Sequence, residues 1–235
     1  MDIILKKVFV GLPQKVGIKD AKNPLDREWE SGIFKQPIQG PVLLTKTGLF
    51  GDGQADMENH GGPEKAVFVY PFEHYEYWQR DLNTTEIEPG AMGENFLLEN
   101  VKEDMIALGD TFQIGDAVVQ VSQPRQPCWK PARRFKIKKL ALLIQNTGRT
   151  GWYFRVLKEG NIREDQKLTL IDRPSPKWTI AKCNEIMHGD SPNPEELREL
   201  AQCEWLAESW KNTLNKRIAT GERSDIRKRV IGPNE

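Results

Sequence analysis

The chain has 235 residues, and its 34 Lys and Arg are balanced by 34 Asp and Glu, so the formal net charge is zero. That length can bury a real core in one large or two small domains, and net neutrality weighs against general nucleic-acid packaging. With no N-terminal apolar segment of signal type and no run of 18 apolar residues, a membrane span is excluded and a cytoplasmic protein is expected.

In chain order, residues 1–10 alternate loosely and predict an opening strand, whereas Asp20 to Gly40 is polar and irregular and predicts a loop. Val42-Leu43-Leu44 begins a second strand that runs into the turn-rich Gly48 to Gly53. Ala66 to Tyr70 reads as a short buried strand, and Tyr75, Trp78 and Leu82 fall at helical spacing within Phe72 to Leu82. Gly115-Asp116 between Thr111–Ile114 and Ala117–Val121 signals a tight hairpin. Pro131 opens an expected helix with Ile137, Leu140, Ala141 and Ile144 on one face. Gly151–Leu157 and Lys167–Ile171 read as strands around a Glu159-Gly160-Asn161 turn. Many short strands and few helices favour a closed or sandwiched β-structure over a βαβ sheet.

Arg173-Pro174-Ser175-Pro176 punctuates the chain as a linker. Beyond it come three helical segments: Ile180, Cys183 and Met187 on the first; a second capped by Asn193 and opened by Pro194; a third stopped at Gly221. The expected organisation is a mainly β domain over 1–173 with its core at about 42–171, a three-helix domain over 177–222 and a charged, frayed tail over 223–235.

One region concentrates charge. Between Ala117 and Lys158 lie ten Lys and Arg and no Asp or Glu, and Cys128 sits in the densest part, with Arg125, Lys130, Arg133 and Arg134 within six residues. Cationic neighbours favour thiolate, the form that attacks electrophiles or binds metals. Cys183 and Cys203 fall in helical stretches and read as packing residues, and three cysteines in all suit a reducing cytosol better than a disulfide framework. Gly61 and Gly62 could bring backbone N–H groups to an anion, with His60 donating a hydrogen bond or a proton, although such a turn is also an ordinary loop. In Gly93-Glu94-Asn95, Asn95 could bond a heterocycle edge and Glu94 could accept a proton.

Taken together, His60-Gly61-Gly62 followed by Ala66–Tyr70, Gly93-Glu94-Asn95, Leu108-Gly109-Asp110, Ile114-Gly115-Asp116 and Pro124-Arg125-Gln126-Pro127-Cys128 resemble the MOSC domain. The three-helix tail resembles that of its YiiM-type branch, which is linked to resistance against 6-N-hydroxylaminopurine. The resemblance implies a β-barrel with flanking helices and a C-terminal three-helix segment. It implies the molybdenum cofactor, with Cys128 as metal ligand and catalytic residue, and His60 as the acid. Arg125, Lys130 and Arg133 would hold the cofactor's anionic end, Gly61 and Gly62 would supply backbone donors, and Asn95 would face the pterin or the substrate. The implied activity is reduction of small N-hydroxylated compounds such as hydroxylamino purines, with electrons from a separate reductase and no membrane or nucleic-acid partner. Two alternatives stay open: a cofactor carrier or sulfur-transfer protein using a Cys128 persulfide, and a non-catalytic anion-binding or nucleic-acid-binding module using the basic run.

Overall fold

In the computed structural model, which describes residues 2–223 and 225–235, the short apolar runs become strands that close on themselves. Met1 of the expected first strand and Ser224 of the tail lie outside the described residues. Strand β1 (Ile3–Val10) is followed by β2 (Gln14–Val16), β3 (Trp29–Ser31), β4 (Gln36–Ile38), β5 (Val42–Thr45) and β6 (Gly48–Leu49). Helix α1 (Met57–His60) leads to β7 (Val67–Pro71), α2 (Glu73–Asp81) and β8 (Phe96–Glu99). The hairpin β9 (Thr111–Ile114) and β10 (Ala117–Pro124) precedes α3 (Trp129–Arg134) and α4 (Leu140–Thr147). Then come β11 (Trp152–Lys158), β12 (Gly160–Ile162), β13 (Gln166–Asp172), α5 (Ile180–His188), α6 (Pro194–Ala201), α7 (Glu208–Thr220) and α8 (Arg227–Val230).

Seven strands form the expected barrel in the order β13-β9-β10-β11-β7-β8-β1, and the ring closes where β1 meets β13, with Ile3 opposite Leu168. Closure satisfies every barrel edge. All these pairings are antiparallel except β7–β8, which α2 connects as a crossover. The interior is filled by fully buried side chains such as Leu5, Val69, Phe96, Phe112, Val121 and Phe154.

Three expectations need correction here. The Asp20–Gly40 region is not all loop, because β3 pairs with β2 and β4 pairs with the outer end of β1. Gly160 is not a turn residue but the first residue of β12, which pairs with β5; a Cβ there would lie 2.5 Å from the Asp116 backbone, so only glycine lets these segments approach. The helix expected from Pro131 is two helices, since Lys136 turns the chain into the left-handed region (φ +55°) between α3 and α4.

The C-terminal helices form as the caps predict. The Asn193 side chain accepts from the N–H groups of Glu195 and Glu196, and Gly221 (φ +70°) ends α7. Their apolar faces join the barrel's own hydrophobic cluster through residues including Ile180, Cys183, Leu200, Trp210 and Leu214. The linker is tied down as well: Arg173 donates from Nε (2.8 Å) and Nη2 (2.6 Å) to the fully buried Asp110 carboxylate. Nor is the tail frayed over its described part. Residues 225–235 fold as α8 and a 3-10 turn against α3, where a Cβ on Gly232 would meet the Trp129 ring at 2.3 Å.

Candidate functional site

Strand β10 delivers the chain to the rim of the barrel, and Pro124 to Pro127 carry it to Cys128, the residue that precedes α3. Opposite stands α1, a single turn capped by Asp56, whose last residue is His60. Cys128 and His60 face a cleft of two lobes that meet at His60, Lys65, Cys128 and Tyr153. The larger lobe, about 980 Å³, opens toward the C-terminal helices; the smaller, about 80 Å³, lies over the glycine-containing loops at Gly32, Gly53 and Gly93.

Cys128 is 8 % exposed. Burial raises the thiol pKa, but the His60 side chain, the charge of Arg125 and the backbone N–H of Lys130 outweigh it and bring it down from 9.0 to about 6. The sulfur is therefore mostly thiolate at neutral pH. His60 Nδ1 lies 3.3 Å from Asp56 Oδ2 without a hydrogen bond between them, and the imidazole borders both lobes. Asp56 is shifted the same way as the thiol: burial raises its carboxyl, but hydrogen bonds from Asn59 with the charges of His60 and Lys130 outweigh it and hold it below the ordinary carboxylate value.

Arg125 enters the smaller lobe from below. It is 5 % exposed, its guanidinium lies 5.0 Å above the Phe68 ring, and its Nη1 is buried with no hydrogen-bond partner. A buried donor without a partner is uncommon and points to a ligand that completes it. Lys130 lines the same lobe, as does Lys35, which is paired in a buried contact with Asp52. Burial lowers the Lys35 ammonium pKa against the opposing pull of Asp52. Tyr153, at the junction, has its phenol pushed up to about 12 by burial.

Not every expected residue reaches the cleft. Arg133 is buried under the tail instead: its Nε donates to Asn234 Oδ1 (2.7 Å), its Nη2 to the Pro233 carbonyl, and its plane covers Trp129. The short α3 helix simply points position 133 away from the face that Cys128 and Lys130 share. Gly61 and Gly62 line neither lobe; they form the turn behind His60, where Gly62 (φ +94°) needs the left-handed region and leads into the 3-10 turn Pro63–Lys65. Asn95 does line the smaller lobe, but its amide is occupied. It accepts from Phe68 N (3.1 Å) and donates to Phe9 O (3.2 Å) and Asp52 Oδ2 (2.9 Å), so it holds the floor together. Glu94 lies beneath, accepting from the Tyr75 hydroxyl and from Gly90 N, with burial raising its carboxyl pKa.

Sequence reasoning missed Asp56, Lys35, Lys65, Tyr153 and Arg229. Asp56 carried a usable signal, since an acidic cap four residues before a histidine meets it on a helical turn. Arg229 carried none: it arrives from the tail, donating to the Pro127 carbonyl and to Gln145 Oε1 (2.6 Å), near enough for the Cys128 charge to act on it.

Among the described residues no group of three or more His, Cys, Asp or Glu side chains could hold a metal ion by itself, and no helix is long and apolar enough to cross a membrane. The chemistry on offer is one soft anionic ligand, one imidazole and a set of cations.

Comparison with known proteins places this geometry. The MOSC domain model matches residues 56–169, and the model for the YiiM-like, 3-alpha helix domain matches residues 178–221. The chain is 42 % identical to the uncharacterized protein YflK of Bacillus subtilis, over 80 % of this chain and 85 % of that one. It is 37 % identical to protein YiiM of Escherichia coli, over 86 % and 91 % respectively. A protein named reductase from Gibberella moniliformis is 38 % identical over 79 % of this chain, which fills only 33 % of the fungal protein. The crystal structure of YiiM from Geobacillus stearothermophilus superposes with a TM-score of 0.75 at 34 % identity, covering 92 % of this chain and 99 % of that one.

Proposed function

The chain belongs to the MOSC family, in the branch with the YiiM-like three-helix segment, and on that premise we propose that it is a molybdenum-cofactor-dependent reductase of N-hydroxylated compounds. The observation that carries the reading is the buried Cys128 beside His60 where the two lobes meet, with the unpartnered Arg125 Nη1 in the smaller lobe. MOSC domains are associated with the molybdenum cofactor, and the residues fit such a group. Thiolate is a suitable ligand for a soft metal centre, and Arg125 Nη1 offers a buried donor to an anionic end. Lys130 and Lys35 add charge in the same lobe. When bound, the cofactor supplies the two-electron, oxygen-accepting chemistry that side chains lack.

The chain's own residues do the rest. Cys128 would hold the metal, and Arg125 and Lys130 would neutralise the ligand's charge. Reduction of R–NHOH to R–NH2 consumes two electrons and two protons and releases water. His60 supplies a proton, with the Asp56 carboxylate 3.3 Å from its Nδ1. Tyr153 and Lys65 line the junction and restrict the substrate's approach to the sulfur side. The fungal relative named reductase supports the redox reading. Because this chain spans a third of that protein, a separate reductase is proposed to deliver the electrons.

The test is the molybdenum and pterin content of protein purified from a host that makes the cofactor, beside Cys128→Ser. Near-stoichiometric metal in the wild type, lost in the variant, followed by conversion of hydroxylamino purine to the amine, is the expected result. Metal-free protein with cyanide-labile sulfur on Cys128 would replace this reading with sulfur transfer.

A further inference from the structure

The larger lobe contains more than the reduction needs. Its far wall comes from α5, α7 and the tail, and it presents Arg217, Arg223, Lys228 and Arg229 alongside Asp225. Two of these guanidiniums make no direct ion pair with a carboxylate. Arg217, 8 % exposed, donates only to the carbonyls of Ile186 (3.0 Å), Met187 (3.1 Å) and Gly189 (3.2 Å). Arg229 donates only to the Pro127 carbonyl and the Gln145 amide oxygen. The neutral oxygens satisfy these N–H groups but leave the charges to more distant partners, Asp190 for Arg217 and the Cys128 sulfur for Arg229, and an anionic ligand in the lobe would compensate them directly.

Two further groups on the same wall lack partners. Trp210 is 1 % exposed, yet its Nε1–H is unsatisfied, and His188 Nε2 is buried without a hydrogen bond. Burial and the charges of Arg229, Arg223 and Arg217 hold His188 down to about 3, so its ring is neutral and able to donate. The positive field at this corner thus comes from three separate segments converging on one point. Nearer Cys128, the lobe is bordered by the aromatic rings of Trp129 and Tyr153. At about 980 Å³ it is large for a bare heterocycle and sits at the upper end of small-molecule sites, roughly 300–1,000 Å³.

We propose that this wall is a phosphate subsite, and that the N-hydroxylated base enters the cleft as a phosphorylated nucleoside rather than as the free base. The base portion rests on the reductase reading above; the phosphate portion rests on the unpaired cations and orphaned donors alone. In this arrangement Arg229 and Arg217 bind the phosphate, while the base reaches across Trp129 toward Cys128 and His60.

The experiment compares AMP, adenosine, adenine and inorganic phosphate as ligands of the cofactor-loaded protein by calorimetry. AMP should bind at least about tenfold more tightly than adenosine, inorganic phosphate should compete, and the advantage should shrink as salt rises. Arg229→Gln should erase the advantage and Arg229→Lys should retain part of it, with thermal melts run beside each variant. AMP binding no better than adenosine in the wild type overturns the proposal without recourse to any variant. An advantage that survives Arg229→Gln in a folded protein also overturns it. Molybdenum and pterin content of the same preparations separates the two sources of phosphate: cofactor lost from Arg229→Gln would assign this wall to the cofactor's own phosphate and overturn the substrate assignment. Failure of the reductase reading has a different signature, a wild type without molybdenum.

Discussion

Replacing Cys128 by serine should remove a pH-dependent share of the protein's stability. In the folded chain burial opposes ionisation of the thiol, yet His60, Arg125 and the Lys130 N–H prevail and bring its pKa from 9.0 to about 6. Once unfolded, the same thiol loses those neighbours and ionises near its ordinary value. Between the two values the unfolded chain binds one more proton than the folded chain, so stability rises with pH across that interval. Each pH unit is worth about 1.4 kcal/mol, and an interval of three caps the contribution at about 4 kcal/mol. That contribution is complete above pH 9 and is lost as the pH falls through about 6. The assay is guanidinium unfolding of the metal-free wild type and Cys128→Ser, under reducing conditions, from about pH 5 to about pH 9.5. The difference between the two stability curves should be small at the acid end and grow by a few kcal/mol toward the alkaline end. A difference that stays flat would mean that Cys128 is un-ionised at neutral pH, and the case for a thiolate ligand would fall with it.

Three other perturbations test separate parts of the structure. Arg125→Met should leave the metal-free protein as stable as the wild type at about pH 5, where the Cys128 thiol is un-ionised, or raise its stability there by up to about 2 kcal/mol, because it removes a buried cation with an unpartnered nitrogen; molybdenum content should fall sharply. Asp110→Asn should cost about 2–3 kcal/mol in chemical denaturation, since the Arg173 fork loses its charged acceptor at the linker, while metal content per folded chain stays unchanged. Truncation after Pro176 should abolish cooperative unfolding altogether, because the three helices share the barrel's apolar cluster; a truncated protein with a sharp melt would show that the barrel folds alone.

Local signals in the sequence carried most of the frame. The Gly115-Asp116 turn marked the β9–β10 hairpin, apolar spacing marked α2, and Asn193 and Gly221 marked helix ends, because each depends on residues within a few positions of one another. What escaped depends on distant partners. Gly160 looks like a turn until β5 pairs with it, and Lys136 looks helical until the chain must bend to seat both α3 and α4. The same division holds at the site. Cys128, His60 and Arg125 were legible from a short motif and a basic run. Arg133 shares that run but is turned away by helix geometry, and Arg229 reaches the cleft from a stretch whose sequence shows only charge.

The closing contact of the barrel has a consequence for how the chain is made. Ile3 pairs with Leu168, so the first strand cannot complete its hydrogen bonding until the ribosome has delivered the last one. Until then β1 has β8 on one side and, on the other, β4 along its outer end but an unsatisfied edge over Ile3–Leu5, together with an interior that is open to water. Contacts this distant in sequence carry a large loop-closure cost and slow the search for the native state. The nascent barrel therefore passes through a long interval as an open sheet, and during synthesis at about 5–20 residues per second that exposure lasts for seconds. Chaperone dependence and aggregation on overexpression should consequently track the translation rate of the segment up to Asp172 more closely than the final stability of the folded protein.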